Sequence, residues 1–170
     1  MAAVRVFIFL LICWTASAAS VDEKYGHITA EGTCPDLWYP YNGYCYKYYE
    51  CEMEWTMAEA QCLTDSPTAH LASIHSSEEN DFVFAFQGGL NNIWIGFNDR
   101  AQQYTWEWSD GSPVDYTNWH SGEPNNSCGL LCEENCVEMQ VGSEFNDKWN
   151  DEDCTTKNRF VCKMEWITGP

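Results

Sequence analysis

The placement of its cysteines constrains this chain more than any other feature. The opening stretch MAAVRVFIFLLICWTASAAS has one early arginine, Arg5, an apolar run from Val6 to Trp14 and a small-residue end. That is the pattern of a secretory signal peptide over residues 1–19, cleaved after Ala18 or Ala19. Of ten cysteines Cys13 leaves with it, and nine remain: Cys34, Cys45, Cys51, Cys62, Cys128, Cys132, Cys136, Cys154 and Cys162. In an exported chain these read as disulfides rather than zinc ligands. Nine is odd, which predicts one thiol that is free or bridges to a second chain.

The apolar leader is too short to span a bilayer, and no later segment of about 18 apolar residues follows it. The mature product is therefore expected to be soluble and extracellular, with no membrane insertion. Loss of Arg5 takes the formal charge one unit below the −18 of the full chain. Such acidity argues against nucleic-acid phosphates and anionic membranes, and favours calcium or basic partners. About 150 residues make one domain. Residues 20–33 are a polar lead-in, 34–166 the domain and 167–170 a tail.

Within the domain, YNGYCYKYY alternates around an Asn-Gly pair, a hairpin signal with Cys34 and Cys45 near its ends. In EWTMAEAQCL, Thr56 and Glu59 have capping-box spacing and open a short helix that carries Cys62. Ser76 and Glu79 repeat the device, and Gly88 stops the second helix. NIWIGF, YTWEW, CVEMQV and RFVCKMEW then read as strands, rich in aromatic and β-branched residues. Two early helices followed by strands and long loops predict an α+β domain.

Two stretches concentrate oxygen donors. SGEPNNSCGLLCEENC supplies Glu123, Asn125 and Glu134; DKWNDEDC supplies Asn150 and Asp151. Carboxylates and amide carbonyls are what a hard cation such as calcium takes, six to eight oxygens in a flexible shell. Alone, Glu-Pro-Asn reads as an ordinary turn; with the second stretch and the cysteines in place, a ligand set is the stronger reading.

In order, IWIGFND, WEWSDG, EPN, ENC, WND and FVC resemble a C-type lectin domain, and the resemblance covers the chain from Cys34 to about Trp166. It implies a C-type lectin fold with two helices, two small antiparallel sheets and a long calcium-binding loop region. It also implies the disulfides Cys62–Cys162 and Cys136–Cys154, and Cys34–Cys45 in the longer form. The cofactor it implies is Ca2+, held by Glu123, Asn125, Glu134, Asn150 and Asp151, with the Asp151 backbone carbonyl as a further ligand. The same five residues would bind the sugar, neighbouring hydroxyls of which complete the calcium shell. A cis Glu123–Pro124 bond, accessible only before proline, would turn the flanking side chains toward one point. Glu123 only accepts hydrogen bonds, whereas the Asn125 amide donates. In the family, Glu-Pro-Asn goes with glycans having equatorial 3- and 4-hydroxyls, the mannose, fucose and N-acetylglucosamine class. The role implied is recognition of foreign glycans, as in innate immunity.

Three features depart from the family pattern. The segment from Asn125 to Glu134 is longer than in simple relatives and carries Cys128 and Cys132. These bridge locally, leaving Cys51 for a disulfide-linked homodimer, or one of them bridges to Cys51. The family's auxiliary calcium site has Asp99, but Gln103, Asn126 and Asn135 stand where carboxylates are usual, so that site is expected to be weak or absent. The one sequon, Asn125-Asn126-Ser127, is expected to stay unmodified in its crowded loop. His27, His70, His75 and His120 show no metalloprotease spacing, the acids form no glycosidase motif, and catalysis is not expected. Trp94, Trp106, Trp108 and Trp149 read as core. A different class remains beside the lectin: an acidic structural or protein-binding relative, matrix or mineral associated, with a vestigial site.

Overall fold

The computed structural model describes residues 32–129, 132–142 and 146–168. The signal peptide expected over 1–19 and most of the 20–33 lead-in, His27 included, lie outside the described residues. The first strand, β1 (Gly32–Thr33), pairs antiparallel with Ile167–Thr168 near the chain's end. The folded unit thus reaches past the expected 34–166 boundaries on both sides, because each end supplies the other's backbone partners.

The Asn-Gly hairpin forms between β2 (Tyr39–Tyr41) and β3 (Tyr44–Met53). Asn42 and Gly43 have φ of 44° and 90°, the pair of left-handed conformations that matches the twist of a tight hairpin. Helix α1 (Trp55–Asp65) begins one residue before Thr56, after Glu54, which makes no side-chain cap bond. The expected capping box fails because Glu59 is used elsewhere. Its carboxylate accepts from Leu71 N–H at 2.8 Å and lies 2.6 Å from His70 Nδ1, fixing the short strand β4 (His70–Leu71). In α2 (Ser77–Phe86), Ser76 Oγ accepts from Glu79 N–H at 3.1 Å, and Glu79 Oε2 reaches back to His75 N–H at 2.8 Å. Gly88, at φ 84°, follows the last turn.

The remaining strands are β5 (Ile93–Asn98), β6 (Glu107–Trp108), β7 (Glu134–Met139), β8 (Trp149–Asp153), β9 (Asn158–Glu165) and β10 (Ile167–Thr168). The strand order is β2-β3-β9-β5-β7-β8, with β4 also on β9 and β6 on β5. Two antiparallel ribbons are therefore present, β2-β3-β9 and β5-β7-β8. A parallel β5–β9 pair, Ile93 opposite Arg159 and Trp94 opposite Phe160, fuses them into one mixed eight-stranded sheet. At the centre, Gly96 lets β5 approach β4: a Cβ there would lie 2.5 Å from the Leu71 carbonyl oxygen.

Trp94, Trp108 and Trp149 are buried in the core, while Trp106 is only partly buried against it. Burial of such rings is worth about 1.5–3 kcal/mol each, provided the indole N–H finds an acceptor. Trp94 Nε1 donates to the Met53 carbonyl at 2.9 Å and Trp149 Nε1 to Asn80 Oδ1 at 2.8 Å.

Disulfides join Cys34–Cys45, Cys62–Cys162, Cys128–Cys132 and Cys136–Cys154. The Cys62–Cys162 bridge spans 100 residues, a loop closure worth roughly 4–5 kcal/mol in the chain-entropy picture. Cys51, expected to be free or to bridge to a second chain, is disulfide-bonded, and no described cysteine is free.

Candidate functional site

The site grows out of β8, an acid-rich strand that composition alone disguises. Its first residue, Trp149, zips onto the preceding loop. Trp149 N–H donates to the Asn118 carbonyl and His120 N–H to the Trp149 carbonyl, both at 2.9 Å. Glu123 N–H then donates to the His120 carbonyl at 3.0 Å. The Asn118 amide is held in turn by Asp147, on its carbonyl at 2.8 Å and on Oδ2 at 3.1 Å. The Trp149 main chain thus sets the strand and the loop side by side, delivering Glu123-Pro124-Asn125 to the flank of Asp151. The Glu123–Pro124 peptide is cis.

Asp151 is nearly inaccessible, and both its oxygens face the loop backbone. Oδ1 accepts from Asn125 N–H at 3.0 Å and Oδ2 from Asn126 N–H at 2.8 Å. Glu134, at the start of β7, accepts from Ser127 N–H and donates its own N–H to Asn126 Oδ1 at 2.7 Å. The loop from Glu123 to Ser127 is therefore stitched onto two carboxylates by its own amides. Burial, the adjoining Asp151 carboxyl, and the charges of Asp151 and Glu134 push the Glu123 carboxyl up to about 7. Burial first, and then the Asp151 charge among others, also raises Glu134.

Among the described residues no lysine or arginine pairs with Glu123, Glu134 or Asp151. Glu123 Oε2 is buried with no hydrogen-bond partner. An orphaned carboxylate oxygen among anionic neighbours fits a hard cation, whose charge and open coordination shell would satisfy it. Also among the described residues, no group of three or more His, Cys, Asp or Glu is arranged to hold a metal ion by itself. Two of the five expected donors are asparagines, and the Asp151 oxygens are engaged by backbone amides.

Of the residues expected at the auxiliary site, Asp99 is buried, with Oδ2 accepting from Tyr104 N–H at 2.5 Å and Oδ1 unpartnered. Asn126 serves Glu134, Asn135 Nδ2 reaches Glu133 at 3.3 Å, and Gln103 is exposed. His70 and His75 face Glu59 and Asp115, away from the loop cluster.

One residue had no part in the sequence reading. Glu138, in the middle of β7, is 3% exposed and sits directly opposite Asn150. Its carboxylate accepts from Asn92, Gln140 and Asn150 on Oε1 at 3.0, 3.2 and 3.4 Å, and from Asn158 on Oε2 at 2.7 Å. The available signal was a lone acid inside the otherwise apolar run Cys136–Met139, every residue of which is buried.

Residues 51–164 match the Lectin C-type domain. A C-type lectin mannose-binding isoform of Oxyuranus scutellatus is 41% identical over 137 residues, covering 78% of this chain and 84% of its own. The cow CD23 C-type carbohydrate-recognition domain, solved in the presence of a GlcNAc2Man3 oligosaccharide, superposes with a TM-score of 0.70. It shares 36% identity over 80% of this chain and 98% of that one. A calcium-independent type II antifreeze protein superposes with a TM-score of 0.72 at 29% identity, over 82% of this chain and all of its own. Fold and sequence together define a lectin-class module stapled by disulfides. The chain belongs to the C-type lectin family.

Proposed function

We propose that the protein is a secreted, calcium-dependent lectin for glycans that present equatorial 3- and 4-hydroxyls, of the mannose, fucose or N-acetylglucosamine type. The observation that carries this reading is the cluster of Glu123, Glu134 and Asp151, with a buried oxygen of Glu123 that has no hydrogen-bond partner. Glu123, Asn125, Glu134, Asn150 and Asp151 would hold calcium, Asp151 also through its carbonyl. When bound, the ion supplies a Lewis acid for vicinal sugar hydroxyls. The chain's own part is polarity: the Glu123 carboxylate accepts from one hydroxyl while the Asn125 amide donates to its neighbour. The mannose-binding name of the Oxyuranus relative supports the class. The leader pattern supports export, and no helix among the described residues is long and apolar enough to cross a membrane.

A second reading, an acidic structural or protein-binding member with a vestigial site, draws on two observations. The Asp151 oxygens are already satisfied by Asn125 and Asn126 amides, and a calcium-independent relative shares the fold. Chromatography on mannose-agarose separates the two. Retention in calcium with release by a chelator is expected; passage through the column in both conditions would favour the structural reading.

A further inference from the structure

We infer that Glu138 is a positioning residue of the calcium site, holding Asn150 so that its carbonyl oxygen is the end presented to the ion. The inference rests on the site proposed above and adds to it a residue that would not touch metal or sugar. The argument begins with what an asparagine amide can do. It has one donor end and one acceptor end on a planar group, and only the acceptor can bind a cation. A ligand asparagine must therefore be told which way to face.

Glu138 supplies that instruction. A carboxylate offers acceptors only, so the Asn150 Nδ2 must be the atom 3.4 Å from Glu138 Oε1. Oδ1 is then left as the end of the amide available to a cation. The polarity of the hub is fixed independently of Asn150. Asn92 Oδ1 accepts from Val141 N–H at 3.1 Å, which assigns its Nδ2 to Glu138 Oε1 at 3.0 Å. Gln140 and Asn158 add further amide donors. A buried acid in a β-strand needs such partners; none of them is a cation, and the register partner of the acid on β8 is Asn150 itself. The arrangement also has a rigid seat: β7 and β8 are tied by Cys136–Cys154, just beyond the Glu138–Asn150 rung.

Partners that orient a metal ligand are commonly worth about 10–100-fold in metal affinity. The test is a double-mutant cycle on the intact secreted protein, read by calcium calorimetry and by thermal melting in chelator. Glu138→Leu is expected to weaken calcium about tenfold or more, and to add little further loss in an Asn150→Ala background, because it acts through that side chain. Asn158→Ala, which strips the other oxygen of the same carboxylate, is expected to lower the chelator melting temperature while moving the calcium dissociation constant less than about threefold. Should Glu138→Leu not be secreted, Glu138→Asp withdraws the carboxylate by one methylene and carries the same cycle. Unchanged calcium affinity in the Glu138 variant overturns the inference. So does an equal loss in both backgrounds, which is the mark of a merely structural acid. A parent protein that binds no calcium at all would overturn the underlying site, and this role with it.

Discussion

Asp151 accepts the Asn125 N–H at 3.0 Å across 26 positions of sequence, and this bond fastens the Glu-Pro-Asn loop to the strand that carries WND. One side chain thus belongs both to the loop's architecture and to the proposed ligand set. Asp151→Asn replaces an acceptor with a donor that faces the Asn125 or Asn126 N–H. It should cost about 1–3 kcal/mol of stability, or several degrees of melting temperature for a domain of this size. Calcium affinity should fall about tenfold or more, since a charged ligand is lost. Glu123→Gln leaves the Asp151 bonds to the Asn125 and Asn126 amides in place and should lose calcium affinity with a smaller change in melting. Calorimetry and calorimetric melts on both variants check this; unchanged calcium binding in both would remove the site.

Glu123 makes the site sensitive to pH near neutrality. Its carboxyl is pushed up to about 7, by burial first and then by Asp151 and Glu134. A ligating carboxylate must be ionised, so calcium affinity should fall as pH drops below about 7, with proton release on binding. For the metal-free fold the sign is opposite. A carboxyl with a raised pKa in the folded state favours folding when protonated. Its contribution is full below the unfolded value of 4.5 and is lost as pH rises through about 7. Melts in chelator at about pH 5.5 and about pH 8 should therefore show decreasing stability from this group, and added calcium should reverse the trend. Identical slopes with and without calcium would count against Glu123 as a ligand.

Much of this was legible from local chemistry. The Asn42-Gly43 turn, the Ser76 cap and the strand at Ile93–Asn98 each follow from a handful of adjacent residues. The structure sets Glu123, Glu134 and Asp151 around the Glu-Pro-Asn loop, where Asp151 and Glu134 accept its amides. What could not be read were choices between competing long-range partners. Glu59 is as good a capping residue as any, yet Leu71 and His70 claim it once β4 docks on β9. Trp149–Asp153 has the composition of a loop and becomes a strand because β7 supplies its backbone bonds. Glu138 drew no reading from the sequence, because three of the four amides that make its burial tolerable come from distant positions.

A second buried charge gives a prediction about the fold alone. Lys163 Nζ lies 2.5 Å from Glu79 Oε1, both side chains almost wholly buried, and donates to the Ser73 carbonyl at 2.9 Å. Lys163→Met fills the space but leaves Glu79 beside Tyr46 without a cation. Breaking a buried pair from one side costs about 3–5 kcal/mol. Adding Glu79→Gln should recover part of that loss, since a neutral amide no longer needs the lysine. Chemical denaturation of the parent and the two variants measures both steps, and a single variant as stable as the parent would show the pair to be dispensable.

The last prediction joins the ion to the sugar. Glu123→Gln with Asn125→Asp exchanges acceptor and donor across the site while leaving the number of carboxylates unchanged, so calcium should still bind. The Asn125 N–H to Asp151 is a backbone bond and survives the exchange. A single monosaccharide is held at about millimolar strength, near −4 kcal/mol. Charge-assisted hydrogen bonds contribute about 1.5–3 kcal/mol each, so misplacing one or two is enough to abolish detectable mannose binding. Gain of galactose binding is not expected to follow automatically, because the longer loop with its Cys128–Cys132 bridge must also admit an axial hydroxyl. Competition by free monosaccharides against an immobilised mannose glycan reads the outcome. A double variant that keeps calcium and loses mannose is the expected result. One that binds mannose as the parent does would mean that the sugar is recognised elsewhere on the protein.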